Sequence, residues 1–401
     1  MIYSLIILKR VIEDIFIWPF IILGKLKAIS NPLLKNYDIF FFFPFYHTGG
    51  AEKIHSQIVH AISDRKALII FTRKSVDSAF RKKFEEAGHD IMDISRFTDN
   101  KKRYWDNLIY RGVFSAHINS QRSPVLVFNG QSNFGYKLSP WVRRSITQLE
   151  LIHSFSSFSY IRVPFLPFYK QSVMISKRRI EDHLHMYKRW GVPAQYKNRI
   201  RYIINGIELP AVRPQPKTAP AFLKLMYVGR GTVEKRPVLA AYIVNSLRDR
   251  GIGMEMSYVG DVADVIPEPL KGKDQFYGTI NDPRVLDELY REKADILLVT
   301  SSEEGFPLVV MEAMARGVVI IGTPVGDMPV HIQQGVNGFL FSEVFDETKI
   351  VQEAEQFILR LMNEPELFKT MSAANIEYAY KNFGLANFEQ EYQELIETNF
   401  H

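Results

Sequence analysis

The chain of 401 residues contains no cysteine, which excludes disulfides, thiolate nucleophiles and thiolate metal ligands and fits a reducing compartment. Nor does it contain an Asp-x-Asp motif, so nothing in it indicates a carboxylate clamp for a metal bound to a diphosphate. It has no internal repeat, no low-complexity segment and no motif that reads nucleic acid. Long hydrophobic runs are missing as well. The longest near the N-terminus, Ile15–Gly24, is about half of what a bilayer span requires. Met1–Leu8 is apolar but lacks a basic leader and a small-residue cleavage site, so it makes a poor signal peptide.

Apolar residues make up 46% and charged residues 23% of the chain, a globular composition, and the length predicts two domains. The net charge of +6 conceals an asymmetry: residues 1–207 hold 32 Lys and Arg against 15 Asp and Glu (+17), and residues 208–401 hold 18 against 29 (−11). A basic half suits anionic headgroups or a phosphate-bearing acceptor, and solvation of an ordinary surface accounts for it equally well. Lys9, Arg10, Glu13 and Asp14 precede the run Ile15–Gly24, and Lys25 and Lys27 follow it. Residues 1–36 are therefore expected to form an amphipathic segment lying in a membrane interface, with Trp18 and Phe20 as anchors, or packed on the protein itself.

Short apolar runs alternate with helical stretches, the pattern of parallel sheets covered by helices. The first series is Asp38–Phe43, Ala67–Thr72, Val125–Phe128, Leu149–His153, Val173–Ser176 and Ile200–Ile204. Leu209–Pro220, with four prolines and no periodicity, reads as a linker. The second series is Leu223–Val228, Met254–Val259, Phe276–Tyr277, Asp295–Thr300 and Val318–Gly322. The expected division is a segment 1–36, a first domain 37–208, a linker 209–221, a second domain 222–385, and a helix 386–401 that finishes the second domain or reaches back to the first. Ligands of such domains bind at the carboxyl ends of the strands.

The sharpest motif is Ser301–Glu312, which follows one expected strand and opens a helix, with Pro307 in the first turn and Gly317 as its stop. Glu304 falls in the loop and Glu312 inside the helix, where each carboxylate can accept paired hydrogen bonds from vicinal hydroxyls. Taken alone, Glu304 as a cap and Glu312 as a solvated charge is the plainer account. The run Leu223–Val228 leads into Gly229–Pro237, whose Arg230 and Lys235 place two cations at a strand end, with Arg236 expected to be a surface charge. In the first half, His47–Lys53 carries Gly49-Gly50, which permits close backbone approach or merely makes a tight turn. His153 closes another expected strand, where a histidine is structural more often than catalytic.

Together these residues resemble the retaining, GT-B-fold glycosyltransferases of family 4, the glycosyl transferases group 1. The matching text is Tyr227-Val228-Gly229-Arg230 with Lys235, Phe276-Tyr277-Gly278, Leu286–Tyr290, Ala294-Asp295, Ser302–Ala315 with Gly317, and Gly335–Leu340. The first half matches more loosely through Gly49–Glu52, His153, Ser176 and Ile203–Ile207. The resemblance implies two Rossmann-like α/β domains whose parallel sheets face a central cleft. It implies a UDP- or GDP-sugar donor, a glycan or lipid-linked acceptor, and no resident cofactor, metal or nucleic acid. Arg230 and Lys235 would hold the donor diphosphate and Glu312 the ribose, while Glu304 would hold the transferred sugar and support charge at its anomeric carbon. His153 would sit near sugar or acceptor. Gly50, Gly278 and the backbone of Phe306, Pro307 and Leu308 would line the donor. Pro307 departs from the family's commoner glycine and removes one N–H, and Asp327 stands where a second glycine is usual. The expected role is a bacterial enzyme of cell-surface polysaccharide, lipopolysaccharide or glycolipid assembly, in the cytoplasm and peripheral to its membrane. A nucleotide-sugar epimerase, a phosphorylase and a non-catalytic sugar-binding protein share the fold as alternatives.

Overall fold

Ile39–Phe43 is an unbroken apolar run buried along its whole length, which marks a strand covered on both faces. It is β1 in a computed structural model that describes residues 2–400 except 48, 79, 123 and 281. The chain divides into two compact units, Met1–Ile204 with Phe388–His401, and Asn205–Asn387.

The first unit is built on seven parallel strands: β1, β2 (Ala67–Phe71), β3 (Asp90–Asp93), β4 (Leu126–Asn129), β5 (Thr147–Ile152), β6 (Gln171–Met174) and β7 (Ile200–Tyr202). Their order is β3-β2-β1-β4-β5-β6-β7. The second unit has six parallel strands: β8 (Leu223–Val228), β9 (Met254–Val259), β10 (Gln275–Phe276), β11 (Ile296–Val299), β12 (Val319–Gly322) and β13 (Gly338–Leu340), ordered β10-β9-β8-β11-β12-β13. Both sheets reverse their direction of growth at one place, between β1 and β4 and between β8 and β11. Loops leaving the carboxyl ends of those neighbours diverge to opposite faces and open a crevice.

No regular element lies between Tyr202 and Leu223. That stretch is fastened along the second unit: the Tyr380 hydroxyl donates to the Pro210 carbonyl at 3.0 Å, and the Lys217 N–H donates to Ser372 Oγ at 2.8 Å. Phe388–His401 belongs to the first unit, where Gln393 donates to the Ala61 carbonyl at 2.7 Å and Asn399 to Gln171 at 3.2 Å.

The N-terminal segment is one continuous helix, Ile2–Ser30, that runs through Pro19. It crosses the helix Tyr104–Asn119 at two glycines. A Cβ on Gly24 would stand 2.0 Å from the Ile109 carbonyl oxygen, and one on Gly112 would stand 2.2 Å from that of Ile21. Only hydrogen fits at that approach. Among the described residues no helix is long and apolar enough to cross a membrane.

Candidate active site

In the second unit the loops after β8 and β11, neighbours at the sheet's reversal point, are stitched together by main-chain and side-chain hydrogen bonds. Ser302 N–H donates to the Glu234 carbonyl at 2.7 Å, and Thr300 Oγ1 donates to the carbonyls of Lys235 and Arg236 at 3.1 and 2.9 Å. This stitching brings Lys235 and Glu304 into a direct ion pair, and Ser301 Oγ donates to the same Glu304 oxygen at 2.9 Å. The pair is partly buried, the side chains keeping 21% and 13% of their exposure.

Arg236 is not the surface charge its sequence context suggested. It has a left-handed backbone (φ 48°) that turns its guanidinium inward. It donates to the carbonyls of Thr300 (2.6 Å), Val344 (2.6 Å) and Ser301 (3.3 Å), so it props up the loop that carries Glu304. Arg230 is the exposed cation of this loop, 3.6 Å from Glu234.

The Glu304 loop is held from its other side by Gly326. This residue has φ 55°, and a Cβ there would lie 2.0 Å from the Gly305 carbonyl oxygen. Asp327 N–H donates to that same carbonyl at 2.7 Å, a bond that needs only the main chain, so the departure from glycine at Asp327 leaves it intact. Phe306 is buried and packs on His331, with ring centroids 4.2 Å apart, and on Phe383 at 5.6 Å. Pro307 is extended (ψ 129°) and caps the helix Leu308–Met314 instead of opening its first turn. Gly317 (φ 72°) follows that helix as expected. Glu312 lies inside it, next to the buried Tyr290, whose phenol is raised well above its usual range by burial and by the Glu312 carboxylate. Gly278 follows β10 with φ 64° and accepts from Gly260 N–H at 2.8 Å.

The first unit holds the remaining candidates, also at carboxyl ends of strands. Gly50 begins the helix Gly50–Ala61 after β1, with extended Gly49 as its N-cap; Thr48 lies outside the described residues. Glu52, in the first turn, is buried, with His47 Nε2 at 3.7 Å. His153 follows β5 and meets His55, the two Nε2 atoms 2.9 Å apart, so that one ring N–H donates to the other ring. His55 stacks on Phe43 at 4.1 Å. Gln131, after β4, is left-handed (φ 63°) and accepts from His153 N–H at 3.1 Å. The motif reading missed both His55 and Gln131. Gln131 was findable, because Asn129-Gly130-Gln131-Ser132 leaves the strand next to β1, where the sheet reverses. His55 gave no signal beyond a histidine among Ile54, Ile58 and Val59.

Dense protein surroundings push His153 down to about 4, and burial together with His153 lowers His55 well below its usual value. Both rings stay neutral in the fold near neutral pH, whereas an unfolded imidazole protonates below about 6.5. Between about 6.5 and about 4 the unfolded chain therefore binds more protons, and stability falls as pH falls through that window. His183, lowered to about 3 by burial, adds to the same trend. Replacing His153 by Asn is expected to flatten the dependence of unfolding free energy on pH, by about one bound proton at most. Urea titrations at several pH values measure it, and an unchanged slope would remove His153 from this account.

Residues 265–381 match the family described as Glycosyl transferases group 1. The chain is 36% identical over 102 residues to N-acetyl-alpha-D-glucosaminyl L-malate synthase of Bacillus anthracis, covering 25% of this chain and 26% of that protein. It is 27% identical over 226 residues to D-inositol 3-phosphate glycosyltransferase of Segniliparus rotundus, covering 51% and 48%. The matches thus span only about a quarter to a half of these curated relatives. Among solved structures, Anabaena Alr3699/HepE in complex with UDP-glucose aligns at TM-score 0.69 and 17% identity, over 90% of this chain and 99% of that one. The apo lipopolysaccharide outer core galactosyltransferase WaaB aligns at 0.66 and 17%, over 90% and 99%. Likeness at this identity shows the fold, the two-sheet α/β architecture called GT-B.

Proposed function

From the premise that the second unit carries a group 1 glycosyl transferase domain, we propose that the chain is a retaining, metal-independent glycosyltransferase. It moves a sugar from a nucleotide-sugar donor to a glycan or lipid-linked acceptor in cell-surface polysaccharide or glycolipid assembly, working peripherally at the cytoplasmic face of a membrane. The observation that carries this reading is the Lys235–Glu304 pair, held on two loops at the reversal point of a parallel sheet.

In this reading the bond from the anomeric carbon to the diphosphate oxygen breaks, and the acceptor oxygen bonds to that carbon on the same face. The acceptor's proton passes to the leaving diphosphate. Lys235 and Arg230 take up the charge that develops on the diphosphate, a role that needs cations fixed before the reaction begins. Glu304 binds the sugar's hydroxyls and balances positive charge at the anomeric carbon. Glu312 takes the ribose hydroxyls, and Gly50, Gly278 and the backbone of Phe306, Pro307 and Leu308 border the donor. His153, neutral at working pH, offers a hydrogen bond rather than a charge. UDP is favoured as the nucleotide because the HepE structures hold UDP and UDP-glucose.

A panel of UDP-, GDP- and ADP-sugars screened by thermal shift tests the proposal. A ligand at a hundred times its Kd stabilises the unit it binds by about 2.7 kcal/mol, enough to move the unfolding midpoint clearly. One base is expected to give that shift and the other two little. A flat response to the whole panel, at concentrations that saturate comparable enzymes, would remove the donor assignment.

A further inference from the structure

The helix Ile2–Ser30 buries few residues and exposes many large apolar ones. Ile21, Gly24 and Ala28 are its buried positions, facing the helix Tyr104–Asn119. At about 100° per residue, the arc opposite them carries Leu8, Ile15, Phe16, Trp18, Leu26 and Ile29. Ile15, Phe16 and Ile29 keep 67%, 75% and 75% of their exposure. No Asp, Glu, Lys or Arg falls within that arc. Arg10 and Asp14 pair at 2.9 Å toward the covered side. Lys9 and Lys27 stand along one margin of the arc and Lys25 along the other. On the first margin Phe20 stacks on exposed Trp105 at 4.8 Å, beside the exposed run Lys101-Lys102-Arg103.

An apolar strip edged by lysines and aromatic rings matches the layers of a bilayer surface, where acyl chains lie below anionic headgroups and aromatic rings sit between them. A second copy of the chain fits less well on grounds of charge. The strip's lysine margins would meet their own like charges across a two-fold axis.

We propose that the helix Ile2–Ser30 is an interfacial anchor that lies flat on an anionic membrane, with the arc from Leu5 to Ile29 immersed and Lys9, Lys25 and Lys27 at the headgroups. The inference rests on the peripheral-membrane part of the proposed function and specifies its contact. Because the helix is locked to the first unit at Gly24 and Gly112, immersion presents one fixed face of that unit to the lipid.

Flotation of the full chain with phosphatidylcholine vesicles, with and without phosphatidylglycerol, tests it. The wild-type chain is expected to float with the anionic vesicles. The variant Ile15→Ser/Phe16→Ser/Leu26→Ser changes only exposed side chains and should lose at least about 100-fold in partitioning. Lys9→Gln/Lys25→Gln/Lys27→Gln should lose about tenfold or more, and only where phosphatidylglycerol is present. Failure of the wild-type chain to float, or a serine variant that floats as well as wild type, overturns the proposal. A serine variant that turns a dimer into a monomer, with flotation unchanged, assigns the face to a second copy instead. The donor-induced thermal shift, measured on the same samples, keeps the two readings apart. Loss of the shift with flotation intact sinks the donor assignment alone, and the converse sinks the anchor alone.

Discussion

Replacing Glu304 by glutamine is expected to slow sugar transfer by about two to three orders of magnitude while leaving the thermal midpoint nearly unchanged. Glutamine keeps the volume and can still accept from Ser301 Oγ, which now donates at 2.9 Å. It removes the charge that pairs with Lys235 and that would balance the anomeric carbon as its bond to the diphosphate stretches. The stability cost is modest because Lys235 keeps 21% of its exposure and can turn to water once the charge opposite is gone. The loss should appear in kcat more than in KM, the signature of an interaction strongest in the transition state. Lys235→Gln should instead weaken donor binding as well as turnover, because diphosphate is charged in both ground and transition states. Initial rates of nucleotide release for the two variants separate these outcomes, and a fully active Glu304→Gln chain would end the assignment of that residue.

What the sequence discloses depends on how far chemistry alone decides conformation. Central strands with a mostly apolar, mostly buried run announce themselves, and Leu223–Val228 and Met254–Val259 fall where their runs begin and end even though Lys224, Glu255 and Ser257 interrupt them. Asp90–Asp93 and Gly338–Leu340 do not, because edge strands of four and three residues need no apolar run and take their place from their neighbours. The Lys235–Glu304 pair is legible because both residues leave neighbouring strands. Arg236 is not: its inward turn depends on a left-handed backbone that an arginine seldom adopts, and three carbonyls hold it there. The helix Ile2–Ser30 looks like a short apolar run between charges until the crossing at Gly24 and Gly112 shows which face is covered. His55 became visible only through its ring contacts with Phe43 and His153.

The largest effect on stability is expected at Arg162, which no motif includes. Its guanidinium grips Glu150 with two bonds, 3.0 Å from Nε and 2.6 Å from Nη2, and donates to the Tyr187 hydroxyl at 2.7 Å. Ser172 Oγ donates to the same carboxylate at 2.5 Å, and both charged side chains are essentially inaccessible to water. Arg162→Met would leave a buried carboxylate on β5 without its cation, which costs about 3–5 kcal/mol. Adding Glu150→Gln removes the stranded charge and should recover much of that loss, since a well-packed neutral replacement of a buried pair is often nearly neutral. All four tryptophans, Trp18, Trp105, Trp141 and Trp190, lie in the first unit, so their fluorescence in urea follows the unfolding of that unit apart from the second. The donor-induced shift of the second unit should persist in the single variant. If Arg162→Met lowers the first unit's stability by less than about 1 kcal/mol, the range of an exposed pair, then water reaches the Glu150 carboxylate and the pair is not what closes that half of the sheet.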